Sequence, residues 1–204
     1  MNYELFSAFL LITLVLVLVP GPIVTLVVST AATRGARAGL ITVAGSTVGN
    51  AFLITGIALG LSIVIQYAAE IFEWLRWLGA AYLIWLGIQS WRHAGAAEAV
   101  SPPSGHVYFR RGFLVAISNP KTIAFFTAFL PQFIDPHLPA GHQLLVMCTV
   151  AIAMAGLTDC GWAMVGGAGR AFFLRRASAK WLGRLSGLVL MGGGVWLSLV
   201  RRPG

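Results

Sequence analysis

The chain has 204 residues, 58% of them hydrophobic and only 10% charged, and its mean hydropathy is +0.84. A soluble domain carries about 25% charged residues, so this composition excludes an ordinary water-soluble globule. The formal net charge of +8 would suit a nucleic-acid partner, but the placement of the cations gives that reading no support.

The apolar residues fall into six blocks, near 5–33, 38–65, 71–91, 109–133, 142–169 and 181–200. Each is long enough to cross a hydrocarbon core of about 30 Å as a helix, which takes roughly 20 residues. The runs are continuous and do not alternate, which excludes a β-barrel. The first block has only Glu4 and the amino terminus before it, not the positive n-region of a signal peptide. It is expected to be a retained first span, interrupted by "VPGPIV" (19–24). Span two carries "GSTVG" (45–49) and "GIALG" (56–60), and "GRLSG" (183–187) opens span six. Such small-xxx-small faces let helices approach closely and leave room for a homodimer. A flexible linker, "AGAAEAVSPPSGH", follows span three. Span four contains "SNPKT" (118–122), a helix breaker and a cation in the middle of an apolar run. Cys148 and Cys160 share span five, 12 residues and so about 18 Å apart along a helix. They are read as free thiols used as small apolar residues.

Ten of the Lys and Arg residues lie between spans one and two (Arg34, Arg37), three and four (Arg92, Arg110, Arg111), and five and six (Arg170, Arg175, Arg176, Lys180, Arg184). Only Arg201 and Arg202 lie on the other side, and Arg76 and Lys121 fall within spans. The positive-inside rule makes the basic loops cytoplasmic, so both termini face the periplasm. The surplus charge sets orientation and meets anionic lipid.

The two halves resemble each other. "WLRWLGAAYLIWLGI" (74–88) aligns without gaps on "WLGRLSGLVLMGGGV" (181–195) at an offset of 107. Spans two and five align at 109, placing Asn50 opposite Asp159, and spans one and four at 98, placing Pro22 opposite Pro120. Three spans per copy invert the second copy, a pattern of secondary transporters. The expected architecture is therefore all-α and polytopic, with six transmembrane helices as two inverted three-helix repeats. Helices one and four are broken. The first repeat covers 1–93, a cytoplasmic linker 94–108, and the second repeat 109–204.

Counting from the basic loops places Pro22, Asn50, Lys121 and Asp159 each 10–13 residues inside their spans. At 1.5 Å per residue that is about 15–20 Å, near the midplane. A Lys or Asp there costs roughly 2.5–3.5 kcal/mol on insertion scales and normally faces a bundle interior or an aqueous cavity. Lys121 and Asp159 either pair with each other or meet substrate and protons. In "SNPKT", Asn119 has the chemistry of an N-cap and Pro120 suits the first helical position. A half-helix beginning there would turn free amides and positive dipole towards a cavity, with Lys121 beside it, and attract a carboxylate. Enzyme motifs such as H-E-x-x-H, G-x-S-x-G and the P-loop are missing. Asp159 is the one deep acid, and the four histidines lack ligand spacing. Neither enzyme, metal site nor cofactor is expected.

The pieces "VPGP", "GSTVGN", "LGAAYLIWLGIQSWR", "SNPKTIAFF…PQF" and Asp159, in this order and over essentially the whole chain, resemble the lysine exporter superfamily. The closest likeness is to its homoserine/threonine-resistance branch. The resemblance implies export of amino acids or related metabolites across the bacterial inner membrane, in exchange for protons. It gives functional weight to Pro20, Gly21, Pro22, Asn119, Pro120, Lys121 and Asp159. Members often carry an acid at the position of Asn50, so the resemblance leaves proton coupling to Asp159 alone.

The expected function is thus a secondary transporter exporting a neutral or basic amino acid, of the homoserine, threonine or lysine kind, by proton antiport. The half-helix at Pro120 with Lys121 would hold the carboxylate. Asp159, helped by Asn50, would hold the ammonium or exchange protons. Two rival readings stand beside it: an exporter of metal cations or another metabolite on the same fold, and a non-transporting membrane assembly protein.

Overall fold

The structure, a computed structural model, describes residues 1–67, 69–92, 106–169 and 176–199. The described residues form helices joined by short turns, with no strand among them. Helix α1 (Tyr3–Leu18) starts where the Asn2 side chain accepts hydrogen bonds from the Glu4 and Leu5 amides, with Glu4 in the favourable first turn. Pro20 has no N–H with which to continue it. Helix α2 (Pro22–Arg34) restarts with Pro22 at its first position. The axis bends by 45° between them. Gly35, at φ +90°, then makes the turn into α3 (Ala36–Tyr67), a left-handed conformation that glycine adopts without strain.

Helix α4 spans Ala69–Arg92. Residues 93–105, which hold most of the expected linker at 94–108, lie outside the described residues, and α5 (His106–Ile117) is already helical at His106. A second break at Ser118 and Asn119 separates α5 from α6 (Pro120–Ala128) with a bend of 40°. A 3-10 turn (Leu130–Phe133) leads into the connection, then α7 (Ala140–Ala168) and α8 (Arg176–Leu199) complete the fold. Both breaks thus fall where the prolines placed them.

Two helices, Ala36–Gly60 within α3 and Ala140–Ala168, are long and apolar enough to cross a membrane, and four spans result if each bent pair counts as one. The apolar stretches of α4 and α8, Ala80–Gln89 and Gly187–Trp196, are shorter than a full crossing. The surface is apolar and the interior holds polar side chains. Phe52, Leu145 and Leu157 are 68–74% exposed, whereas Asn50, Asn119, Lys121 and Asp159 are buried. That inversion suits lipid outside and a polar cavity within.

Lipid tails are as apolar as leucine, so helices are held together here by close packing rather than by escape from water. Near the basic ends the contacts are made by small residues. A Cβ on Gly45 would fall on the Phe109 carbonyl of α5, and one on Gly112 would fall on the Thr42 carbonyl of α3. Gly49 lies against Phe113 and Ala116 in the same crossing. Gly39, Gly166 and Gly167 likewise bring α2, α3 and α7 together. Gly56 and Gly60 meet no described residue, so the glycines of the second small-residue motif of span two make no such close contact among the described residues. The opposite end is filled by large side chains, among them Phe9, Phe125, Phe129, Leu130, Phe133 and Met147. Between α4 and α8, Gly87 approaches the Gly187 backbone and Gly194 approaches Ala80. These two contacts exchange under the 107-residue offset. In the connection, Gln143 is buried and bonds the backbone of Asp135 and Leu138. The His137 amide and the Asn2 side chain donate to the Asp135 carboxylate.

Two outcomes follow from this packing. Gly45→Ala and Gly112→Ala should each cost about 1–3 kcal/mol of stability through overpacking, read as a lower thermal midpoint in detergent, while Gly56→Ala and Gly60→Ala should not lower it. The His137 amide, then Asn2, hold the Asp135 carboxyl below its ordinary value of 3.8. Its stabilisation is therefore full at neutral pH and disappears as pH falls through the lower folded-state value. Asp135→Ala should melt earlier than wild type at pH 7, with the gap closing in acid.

Candidate functional site

Both breaks open onto one cavity. It is lined by Thr13, Leu16 and Val17 of α1, Gly21 at the first break, Ile23 and Val24 of α2, and Asn50 and Ile54 of α3. Asn119, Lys121, Thr122 and Phe126 come from the second break and α6, and Ala151, Ala155 and Asp159 from α7. Its volume is about 50 Å³. That holds a few waters and is well below the roughly 300 Å³ at which ligand pockets begin. As described, the space is too small to hold an amino acid.

Of the residues singled out in the sequence, Gly21, Asn50, Asn119, Lys121 and Asp159 line this cavity. Pro20, Pro22 and Pro120 are not among its lining residues. They shape the breaks instead, Pro22 and Pro120 as first residues of their half-helices. Thr13 and Thr122 were not anticipated. Thr122 directly follows the flagged lysine and was within reach of the motif. Thr13, in an unbroken apolar helix, carries no local signal.

The second break differs from the sequence expectation in one respect. Asn119 is the N-cap, as expected, and its Oδ1 accepts from the Lys121 amide at 3.1 Å. Its Nδ2 donates to Thr122 Oγ1 at 2.8 Å. Since Pro120 has no N–H, the start of α6 is largely satisfied by its own cap and offers little free amide to a ligand. The start of α2 is the open one. No side chain caps Gly21 and Pro22 there, and Gly21, Ile23 and Val24 border the cavity.

Lys121 also takes an unexpected partner. It feels the charge of Asp159, but its Nζ forms no direct ion pair with that carboxylate. It donates instead to the carbonyl oxygens of Leu16 at 2.6 Å and Val19 at 2.7 Å. These belong to the end of α1, where carbonyls have no partner further along the helix. Gly21 gives the lysine its room, since a Cβ there would stand 3.2 Å from Lys121 Cδ. Asp159 is 5% exposed, and among the described residues no side chain or amide donates to it. Thr13 Oγ1 and Asn50 Oδ1 are buried without hydrogen-bond partners. The cavity therefore combines one uncapped helix start with a carboxylate, an amide oxygen and a hydroxyl that await a donor. Cys148 and Cys160 are free, and neither lines it.

Asn119→Ala should cost about 1 kcal/mol of stability through loss of the cap. It should also loosen the Lys121 backbone. A lower thermal midpoint, with faster proteolysis at the second break than at the connection 134–139, would register both.

Residues 14–200 match the family described as LysE type translocator. A homoserine/homoserine lactone efflux protein of Salmonella typhimurium is 36% identical over 167 residues, 80% of this chain and 81% of that protein. A leucine efflux protein of Enterobacter sp. is 34% identical over 144 residues, 66% of each chain. A Vibrio cholerae protein named only as an uncharacterized membrane protein is 30% identical over 206 residues, covering 98% of this chain and all of the relative. No solved structure matches. With its broken helices, its buried polar cavity and this match over most of its length, the chain is a member of the LysE type translocator family.

Proposed function

We propose that the protein exports amino acids from the cytoplasm by proton antiport, using the cavity at the two breaks as its substrate site. The observation that carries this reading is the opposed polarity gathered in one buried space. The uncapped start of α2 favours a carboxylate. Asp159, Asn50 Oδ1 and Thr13 Oγ1 are free to accept hydrogen bonds from an ammonium. A zwitterionic amino acid satisfies both. This moves the carboxylate from the Pro120 half-helix, whose amides are already capped, to the Gly21–Pro22 half-helix. The efflux names of the relatives, for homoserine and its lactone and for leucine, point to small substrates of this class. Among the described residues no three His, Cys, Asp or Glu side chains converge, so no observation favours metal-cation export.

The inferred arrangement is six spans in two inverted repeats within the inner membrane, with both termini periplasmic. It is supported by the two breaks, by the exchange of the Gly87–Gly187 and Gly194–Ala80 contacts under the repeat offset, and by the basic residues at one end. The small-residue contacts would separate to admit substrate from the cytoplasm, and the aromatic cluster to release it outside. Asp159 is the one titratable acid at the site and would carry the proton in return.

The test feeds mixed dipeptides to cells producing the protein and quantifies amino acids inside and outside by mass spectrometry. Wild type should expel a small set of amino acids selectively. Asp159→Asn, at matched membrane levels, should reduce that export at least about tenfold, the cost of one lost charge-assisted contact. Equal export by the two would remove Asp159 from the site, and profiles matching an empty vector would remove amino-acid export.

A further inference from the structure

The end of α1 poses a problem that most membrane helices meet only at the bilayer surface. Its last carbonyls, and that of Val19 beyond them, lie at the negative end of a helix dipole, where the axis bends by 45° partway along the broken apolar pair. Unpaired backbone at such depth must be satisfied by protein or by a cavity. Val15 O is taken by the Val19 amide. Leu16 O and Val19 O are both taken by a single group, the Lys121 ammonium, which arrives from the other half of the chain. Transporters with broken helices commonly hold sodium ions or protons at such half-helix ends and unwound carbonyls. We infer that the Lys121 ammonium is a tethered cation, occupying the place at the α1 end in which an inorganic monovalent cation would otherwise be bound. This rests on the transport function proposed above, and it adds that export needs no sodium at this position.

Three features of the geometry support the assignment. Both contacts, at 2.6 and 2.7 Å, are at the short end expected for charge-assisted bonds. Lys121 is fixed at its own backbone by the Asn119 cap, and its side chain lies along a glycine that leaves space for it. The other deep charge, Asp159, faces the same cavity without pairing with it. Lys121 is accordingly a positioning residue that joins the end of α1 to the start of α6. Two of its three N–H groups are committed to backbone, so its main work is on the protein rather than on the ligand.

Removal of the ammonium should leave two carbonyls and a small void that an inorganic cation or a small amine can fill. Purified wild type and Lys121→Ala are compared in N-methylglucamine, sodium, lithium and methylammonium chloride at equal ionic strength. The readouts are the thermal midpoint in detergent and amino-acid efflux from proteoliposomes. Wild type should give the same midpoint and rate in all four salts. Lys121→Ala should melt earlier and export about tenfold or more slowly in N-methylglucamine, reflecting two lost charge-assisted bonds. Both readouts should recover several-fold towards wild type in at least one of the small cations. A variant indifferent to every cation overturns the inference, as does wild type that needs sodium. If Lys121→Ala does not accumulate, Lys121→Ser, which leaves the same space open, serves in the same comparison. The midpoints do not depend on transport. Cation-dependent midpoints without amino-acid efflux from either protein would leave the tethered cation in place and defeat the proposed function.

Discussion

The bond between Lys121 and the end of α1 is the contact on which the centre of this structure depends. A helix broken inside a bundle exposes carbonyls that neither lipid nor its own helix can satisfy. The second broken helix supplies the missing donor, and the first supplies the glycine that lets it in. Each break thereby completes the other. The arrangement also explains why a lysine is retained at a depth where insertion is costly. Its charge is met by two backbone dipoles, with the Asp159 carboxylate further off across the same cavity.

Around that centre the packing differs between the two ends. Near the basic residues, α3 and α5, and α2 with α7, meet backbone to backbone over glycines. At the other end, aromatic and long aliphatic side chains interlock, including the stacked rings of Phe125 and Phe129 and the edge contact of Phe9 with Phe133. Glycine faces can part or slide without rotamer changes, whereas an interlocked cluster must repack. The cavity lies between the two and is too small for an amino acid as it stands. The functional cycle proposed for a translocator needs these two ends to open in turn.

Much of this was legible from residues close together in sequence. Helix interruption by Pro20, Pro22 and Pro120 is a matter of a missing N–H and a fixed torsion. The Asn119 cap needs only the next two residues. Burial of Asn50, Lys121 and Asp159 follows from the cost of exposing them to lipid. What could not be read was which of two similar signals would act. The glycines of "GSTVG" pack against α5, whereas those of "GIALG" meet no described residue, though the motifs are equivalent as strings. The two half-helix starts, by contrast, differ in the string itself, with an asparagine at one cap position and a glycine at the other.

Hydropathy, charge and local backbone chemistry, acting within a few residues, are enough to make an apolar helical chain with two internal breaks and polar groups buried within it. The partners of those groups came from the packing of distant helices. Lys121 reaches carbonyls more than 100 residues away rather than Asp159. Thr13 joins the cavity from an otherwise featureless helix. Those choices depend on how bent helices pack against one another, which sets distances that no local pattern encodes.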